Sequence, residues 1–351
     1  MDFFVVNGKI WQGNGRFCDA MVLRGGRIAD TGREELLEKS SRGCARLDCG
    51  GRLVIPGIFD PYAPLPEPPP QKGTKDWLGG QLRQLARAGV TCVQWPCLPK
   101  EARRLQPLLA QLKQEDALPR VQLLLPGEQG WKEGHGGRLV SPEELPGLSS
   151  QGGQFLVPVP DGQILENLLD LLQSWPLSSG NPRRLTLLGA DCTNSRQLQL
   201  LGRLGLGIIG FPAMLEQSLL QCAAQPGAQP ETCCAWRTLS HLGAQVAFGS
   251  TDRARPFAGL QKAVCRREVT STGESRPSRE ALTVEEGLTA MTTGAAWMDF
   301  QEDFVGRLQP GYRADLLVLD RDVFTCPPEK IAQARPVLTM GGGHILWREK
   351  S

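Results

Sequence analysis

Four aspartates stand directly after short apolar runs, where a carboxylate could take part in chemistry. They are Asp60, Asp161, Asp191 and Asp252. If the runs are parallel strands of one sheet, their carboxyl ends share an edge and the four side chains could meet there. Carboxylates suit hard cations such as magnesium or manganese better than zinc. Asp161 and Asp191 also precede helix-length segments, where helix caps or first-loop residues are the simpler interpretation.

Histidine, the usual proton carrier and zinc ligand, is scarce, with only three in 351 residues. His241 and His344 lie in segments that predict a helix and a terminal strand, and we expect structural or exposed roles for both. His135 stands in a glycine-rich segment that predicts a loop able to reach the edge where the aspartates end. The sequence therefore argues against a mechanism that needs several histidines.

The eleven cysteines show no paired spacing, and no C-x-x-C occurs. This pattern predicts neither a disulfide framework nor a C-x-x-C zinc site. Cys97 and Cys192 follow apolar runs and could be nucleophiles, but neither has an evident histidine partner. Small, buried hydrophobic roles are therefore favoured for them.

The elements that position these residues alternate between apolar strand-like runs and helix-length segments. Seven runs are clear, and a weaker one around 138–140 makes eight. Continuous apolar strands separated by helices are typical of a parallel sheet covered on its faces, and eight of them predict a (β/α)8 barrel. An open doubly wound sheet is the main alternative, but no G-x-G-x-x-G opens a helix after the first strand.

The two ends of the chain differ from the middle, since both contain short runs broken by glycine. We expect residues 1–55 and 304–351 to pair in one small β-sandwich, because neither piece alone has enough strands to bury a face. The barrel would then span residues 56–303. Loops are predicted at the proline-rich segment 64–70 and the polar segment 270–279.

Composition argues against several kinds of partner. Lys and Arg number 39 against 37 Asp and Glu, a net charge of +2, which provides no field for nucleic acid or an acidic membrane. No apolar run approaches the ~18 residues of a membrane span, and the first residues lack the features of a signal peptide. We therefore expect a cytoplasmic protein with no nucleic-acid or membrane partner.

Two longer motifs resemble those of the amidohydrolase superfamily. Residues 52–60 (RLVIPGIFD) resemble the approach to that family's first barrel strand, and 305–320 (VGRLQPGYRADLLVLD) resemble its return to the β-sandwich. The segments that follow 60 and 89 are similar to dihydroorotases and related cyclic amidases. Residues 249–252 and 282–296 are closer to amidohydrolases acting on N-substituted formamides, so the subgroup stays open.

The resemblance implies a metal-activated water that attacks an amide or ester carbon. Its ligands would be histidines or a carbamylated lysine on strands one, four, five and six, with an aspartate on strand eight. The two strand-one histidines would fall on Tyr62 and Pro64, and those of strands five and six near Pro158 and Gly189. Lys132 is a candidate for the lysine, and the aspartate matches Asp252. The substrate-gripping arginine and asparagine of dihydroorotases would fall on Pro66 and Cys97.

Two functions follow from this pattern. In the first, the protein has lost the metal centre, needs no cofactor, and binds a small-molecule ligand or a partner, such as a second copy or an active homologue. In the second, it still hydrolyses C–N bonds of amides or cyclic amides through Asp252 as general base, with zinc, manganese or magnesium as cofactor. The supporting residues in the second would come from Asp60, Asp161, Asp191, His135 and Lys132. In the first, Tyr62 would fill the former metal cavity and contact Asp252.

Overall fold

The N-terminal region forms short strands joined by glycine turns. A computed structural model describes residues 1–66, 73–126, 135–148, 154–174, 181, 184–225, 229–250, 255–269 and 275–350. The first elements are β1 (Phe3–Val6), β2 (Lys9–Gly13), β3 (Arg16–Cys18), β4 (Ala20–Arg24), β5 (Arg27–Gly32), α1 (Glu34–Leu37), β6 (Ala45–Asp48) and β7 (Leu53–Pro56).

Eight parallel strands then form one sheet, each paired with the next in the chain. They are β8 (Ile58–Asp60), β9 (Val90–Pro96), β10 (Arg120–Pro126), β11 (His135–Leu139), β12 (Phe155–Val159), β13 (Thr186–Gly189), β14 (Gly207–Gly210) and β15 (Gln245–Phe248). The interleaved helices are α2 (Thr74–Ala88), α3 (Pro99–Glu115), α4 (Gly162–Ser174), α5 (Ser195–Arg203), α6 (Leu215–Ala223) and α7 (Trp236–His241). The predicted barrel and its weak fourth strand are confirmed.

The chain continues through α8 (Pro256–Val264), a hairpin of β16 (Arg267–Val269) and β17 (Ser275–Pro277), α9 (Val284–Met291) and α10 (Thr293–Met298). The last strands are β18 (Leu316–Leu319), β19 (Pro336–Gly341) and β20 (His344–Arg348). β17 corrects the prediction of a loop over 270–279 at its residues 275–277, because a strand of three residues leaves no apolar pattern in the sequence. Residues 270–274 lie outside the described ranges. Within the described ranges, no helix is long and apolar enough to cross a membrane.

Strands from both ends share one sheet. The six-stranded sheet has the order β20-β19-β18-β7-β2-β3, and β18 pairs with β7 in the antiparallel direction. A second sheet, β5-β4-β1-β6, packs its apolar face against the first around Val5, Met21 and Leu316. Residues far apart in sequence therefore form one core, as the sandwich prediction requires, although the exact domain boundaries remain a prediction.

The barrel closes at its carboxyl edge where the first and eighth strands meet. The Ser250 amide donates to the Tyr62 carbonyl at 3.2 Å. Gly249 permits this approach, since a Cβ there would lie 3.0 Å from that carbonyl oxygen. The interior is filled by side chains that include Phe59, Leu124 and Leu156, so the barrel is a packed core.

A buried ion pair joins the β-sandwich to the barrel. Arg120, which begins β10, donates to both carboxylate oxygens of Asp315 at 3.1 and 2.8 Å. Asp315 is 2% exposed, and it also accepts the Gly342 amide at 2.7 Å. Nearby, Gly89 ends α2 at φ 92°, where a Cβ would lie 2.7 Å from the Leu317 side chain. The junction therefore needs both a charge pair and a glycine.

Helix α10 and the residue after it cover the amino ends of the barrel strands. Met298 accepts the Thr186 hydroxyl at 3.3 Å. The Asp299 carboxylate accepts the side-chain amides of Gln94 at 2.9 Å and Gln122 at 2.6 Å. Burial raises the pKa of Asp299 to about 6, against hydrogen bonds that lower it.

Removing the C-terminal strands should prevent the N-terminal sheet from folding. A chain ending at Phe304 lacks β18, which pairs with β7, and lacks Asp315, the partner of Arg120. We expect insoluble protein, measured by sedimentation beside the full chain. Soluble protein with a cooperative thermal transition would contradict the shared sandwich.

The raised pKa of Asp299 should appear in the pH dependence of stability. The folded carboxyl binds its proton up to about pH 6, whereas the ordinary pKa of an aspartate is 3.8, so the folded state holds more protons between these values. The free energy of unfolding should therefore fall by about 2 to 3 kcal/mol across this range through this group alone. Asp299→Asn removes this contribution, as urea unfolding at pH 4 and pH 7 would show. If the free energy of unfolding depends on pH in the same way in wild type and in the variant, the raised pKa of Asp299 is contradicted.

Candidate functional site at the barrel mouth

The carboxyl ends of the barrel strands form a mouth lined by apolar and aromatic groups. The Tyr62 ring, just after β8, packs edge-on against Phe211, just after β14, with centroids 5.8 Å apart. Both rings are half-buried and lie against the interior cluster that includes Ile209. Burial raises the pKa of the Tyr62 phenol above its ordinary value, so its hydroxyl stays neutral. An uncharged aromatic pair therefore occupies one side of the mouth.

Pro158 faces the mouth from the fifth strand. Side chains alternate along a strand, and Leu156 belongs to the interior cluster while Val157 and Val159 belong to the outer one. Pro158 therefore points inward above Leu156. It is exposed although its neighbours are buried, so solvent reaches the mouth at this point. A proline there supplies no side-chain donor atom.

The sixth strand ends in a backbone turn at the position matched to a histidine. Gly189 has φ 87° and Ala190 has φ 55°, both left-handed. A Cβ on Gly189 would lie 3.1 Å from the Val159 carbonyl oxygen. A larger residue would be strained in this conformation. The glycine at position 189 is therefore needed for the turn that ends the sixth strand.

The four matched positions do not fit a divalent metal. Tyr62 offers a neutral phenol, Pro64 is exposed, and Pro158 and Gly189 have no ligating atom in their side chains. Across the described ranges, no three His, Cys, Asp or Glu side chains stand close enough to hold an ion. These four positions thus offer no set of donors that could hold a divalent ion.

Asp60 points away from the mouth. It is 2% exposed and accepts the Tyr62 amide at 3.3 Å. Ile58, two residues earlier on the same face of β8, packs in the outer cluster. Asp60 lines a cleft there with Leu260 of α8 and Met291 of α9. The strand is buried on both faces, so the sequence could not show which way this carboxylate turns.

Asp161 and Asp191 serve different parts of the helical layer. Asp161 accepts the Ile164 amide at 2.8 Å in the first turn of α4, which confirms the helix-cap interpretation. Asp191 accepts the Ser218 hydroxyl of α6 at 2.6 Å, and burial raises its pKa. For Asp191 the first-loop alternative is correct and the cap is not, because Asp191 lies between β13 and α5 while Asn194 caps α5 by accepting the Gln197 amide at 3.0 Å. Asp60, Asp161 and Asp191 therefore do not converge.

The remaining candidates are only partly placed. Lys132 and Asp252 lie outside the described residues, so the predicted contact between Tyr62 and Asp252 stays a prediction. His135 begins β11, four positions before Leu139 at the carboxyl end, which corrects its assignment to a loop at the mouth. The alternation that would mark this strand is hidden by the glycines beside His135.

The other two histidines occupy exposed positions away from the mouth. His241 ends α7 and lies 3.1 Å from a Glu286 carboxylate oxygen, with its side chain 62% exposed. His344 begins β20 and is exposed. The prediction of structural or exposed roles is confirmed for both.

Sequence reasoning missed a disulfide between Cys192 and Cys222, the one bond among the eleven cysteines. It joins the loop after the sixth strand to α6 across 30 residues. Both cysteines line a cavity of ≈ 470 Å³ between α4, α5 and α6. The pairing contradicts the expectation of unpaired cysteines, because only the barrel brings these distant positions together.

Comparison with known proteins identifies the fold's relatives. The model of the amidohydrolase family matches residues 161–346. YtcJ of Bacillus subtilis (strain 168), a protein named as an amidohydrolase, is 27% identical over 191 residues, 53% of this chain and 36% of YtcJ. The chain thus aligns with about a third of that relative's length.

Solved structures with the same fold span nearly the whole chain. An uncharacterized metal-dependent hydrolase from Pyrococcus furiosus has a TM-score of 0.74 at 13% identity, over 93% of this chain and 100% of its own. N-isopropylammelide isopropylaminohydrolase from Burkholderia multivorans ATCC 17616 has a TM-score of 0.64 at 16% identity, over 98% of each chain. At identities this low, the similarity to these structures shows the fold alone.

Restoring histidines on the first strand should not restore a metal site. Tyr62→His with Pro64→His supplies at most two imidazoles, and the positions at Pro158 and Gly189 still add none. We expect no gain in zinc-dependent amide hydrolysis over wild type, measured with added zinc. Tyr62→Leu with Pro64→Ala is the matched control, since it also removes the tyrosine ring and the proline but adds no metal ligand. Robust zinc-dependent turnover in the histidine variant alone would show a far more complete site.

Proposed function

The chain belongs to the amidohydrolase family, and from that premise we propose that it binds an uncharged, largely apolar small molecule at the barrel mouth. In this proposal the protein does not act through a metal-activated water. One observation carries it: Pro158 is exposed toward the mouth at the place matched to a metal-binding histidine. The position is open to a ligand but offers no donor atom to an ion.

The chemistry of the mouth supports this ligand class. Tyr62 and Phe211 present ring edges and faces that suit a planar or aliphatic body. Pro158 and the half-buried Leu139 add apolar surface. The Tyr62 hydroxyl is the polar group that could orient a ligand by one hydrogen bond. Charged ligands gain nothing from these groups, because none of them carries a compensating charge.

The setting of the protein follows from the same proposal. A net charge of +2 supports the absence of nucleic-acid or membrane partners, and we propose a cytoplasmic protein without a cofactor. A second copy or an active homologue is the proposed protein partner. The proposed ligand is specified only as a class, the uncharged and largely apolar small molecules.

Hydrolysis of C–N bonds through Asp252 is the second candidate, favoured by the family match and by its hydrolase neighbours. It requires Asp252 to act as general base. Zinc, manganese or magnesium would be held by side chains outside the described residues. In the resemblance, Lys132 is the candidate for one of these side chains. Neither Asp60, Asp161 nor Asp191 faces the mouth to assist.

Metal content and ligand binding together separate the two candidates. Protein purified without chelators should hold far less than one divalent ion per chain by mass spectrometry, and thermal shifts should favour neutral apolar compounds over charged ones of equal size. Tyr62→Ala should weaken binding about tenfold through loss of the ring contact, while Tyr62→Phe should weaken it less. A stoichiometric ion, or amide turnover abolished by Asp252→Asn, would contradict the proposal and favour the hydrolase.

A further inference from the structure

We infer that the Cys192–Cys222 disulfide is a thiol–disulfide exchange site for low-molecular-weight thiols that are neutral or carry an amine. The inference is independent of the ligand proposed for the mouth. It stands on the disulfide's access, on the cavity that it lines and on the charge of that cavity.

Access favours one sulfur over the other. Cys222 is 1% exposed, whereas Cys192 is only partly buried, and both line the ≈ 470 Å³ cavity. Such a cavity is large enough for a small thiol compound. Disulfides that solvent reaches are the ones exchanged most readily. A thiol entering the cavity therefore meets Sγ of Cys192 first.

The cavity wall is rich in side-chain amides, which suit polar, uncharged groups. They belong to Gln163, Asn194, Gln197, Gln225 and Gln229. Gln225 is central: its carbonyl oxygen accepts the Gly162 amide at 3.3 Å, and its amide donates to Sγ of Cys192 at 3.4 Å. The same side chain thus links the start of α4 to the disulfide.

The charge of the cavity is negative. Its two carboxylates are Asp161 and Glu166. Glu166 receives the side-chain amide of Gln197 and forms an ion pair with Arg196, so its charge is largely offset. Asp161 has no cation within ion-pair distance among the described residues. One uncompensated negative charge therefore repels anionic thiols and attracts amines.

The reaction balances in two steps. An external thiolate attacks Sγ of Cys192, the S–S bond breaks, and Cys222 leaves as a thiolate that takes a proton from water. A second external thiolate attacks the external sulfur of the mixed disulfide and releases Cys192 as a thiolate, toward which Gln225 donates. The protein disulfide is reduced to two thiols, and two external thiols are oxidised to their disulfide.

The third cysteine of the cavity is a natural control. Cys233 lines the same space, and burial raises its pKa above the ordinary value, so it is protonated and a poor nucleophile. Exchange should therefore proceed without it, and Cys233→Ser should leave the rates unchanged.

The test compares cysteamine, 2-mercaptoethanol and 2-mercaptoethanesulfonate at equal thiolate concentration and low ionic strength. Thiol counting on the folded protein should show cysteamine fastest and the sulfonate about fivefold slower than cysteamine, with the difference shrinking as salt is added. Asp161→Asn keeps an oxygen acceptor for the Ile164 amide and removes the charge, so the three thiols should then react alike. Equal rates in wild type, or a selectivity that persists in Asp161→Asn, would overturn the inference.

Peptide mapping locates the reaction. Trapped mixed disulfide should carry cysteamine on Cys192 and not on Cys222. In a matched pair of variants treated with cystamine, Cys222→Ser should be modified at Cys192, while Cys192→Ser should resist modification at Cys222. Modification mainly at Cys222, or reduction only when the thermal transition is lost, would also overturn the inference. The wild-type rates remain decisive if either variant fails to fold.

Discussion

The bidentate pair between Arg120 and Asp315 is the contact on which the arrangement of the two chain ends and the barrel depends. Arg120 begins the third barrel strand, and Asp315 directly precedes the first C-terminal strand of the sandwich. The Asp315 carbonyl also accepts the Gly57 amide at 3.0 Å, between the last N-terminal strand and the first barrel strand. One residue thereby fixes the barrel, the N-terminal sheet and the C-terminal sheet relative to one another.

This junction explains why the segment 305–320 can resemble the family closely while the residues at the barrel mouth do not. The segment 305–320 is held by buried hydrogen bonds and a charge pair whose loss would leave Arg120 uncompensated. The mouth carries no such constraint, because Tyr62, Pro64 and Pro158 need only avoid steric clashes and cover the interior. A chain can therefore keep the fold while the groups at its mouth suit another chemistry, which is the basis of the proposed binding role.

Much of the barrel could be predicted because its signals are local. Apolar runs separated by helix-length segments mark each strand, and the eight strands pair in sequence order. Even the weak strand predicted around 138–140 is present, although it begins earlier, at His135–Leu139. The shared sandwich was predictable for a related reason, since short strands at both ends need each other to bury a face.

The orientation of single side chains was less predictable. Asp60 ends a strand buried on both faces, so no alternation indicates its direction. Asn194, not Asp191, caps α5, because the helix begins at Ser195 and the cap is the residue directly before it. The disulfide joins residues whose proximity is created only by the packing of α6 beside the sixth strand. The direction of Asp60 and the disulfide depend on tertiary placement and leave no pattern in the sequence, whereas the capping box of Asn194 and Gln197 is local.

Diffraction at the zinc absorption edge tests the central claim most directly. Crystals grown with excess zinc would give an anomalous difference map that locates every bound ion. We expect no ion at the barrel mouth among Tyr62, Pro158 and the end of the sixth strand, whatever binds at the surface. An anomalous peak at the mouth with protein ligands around it would contradict a metal-free mouth and establish a remodelled metal site.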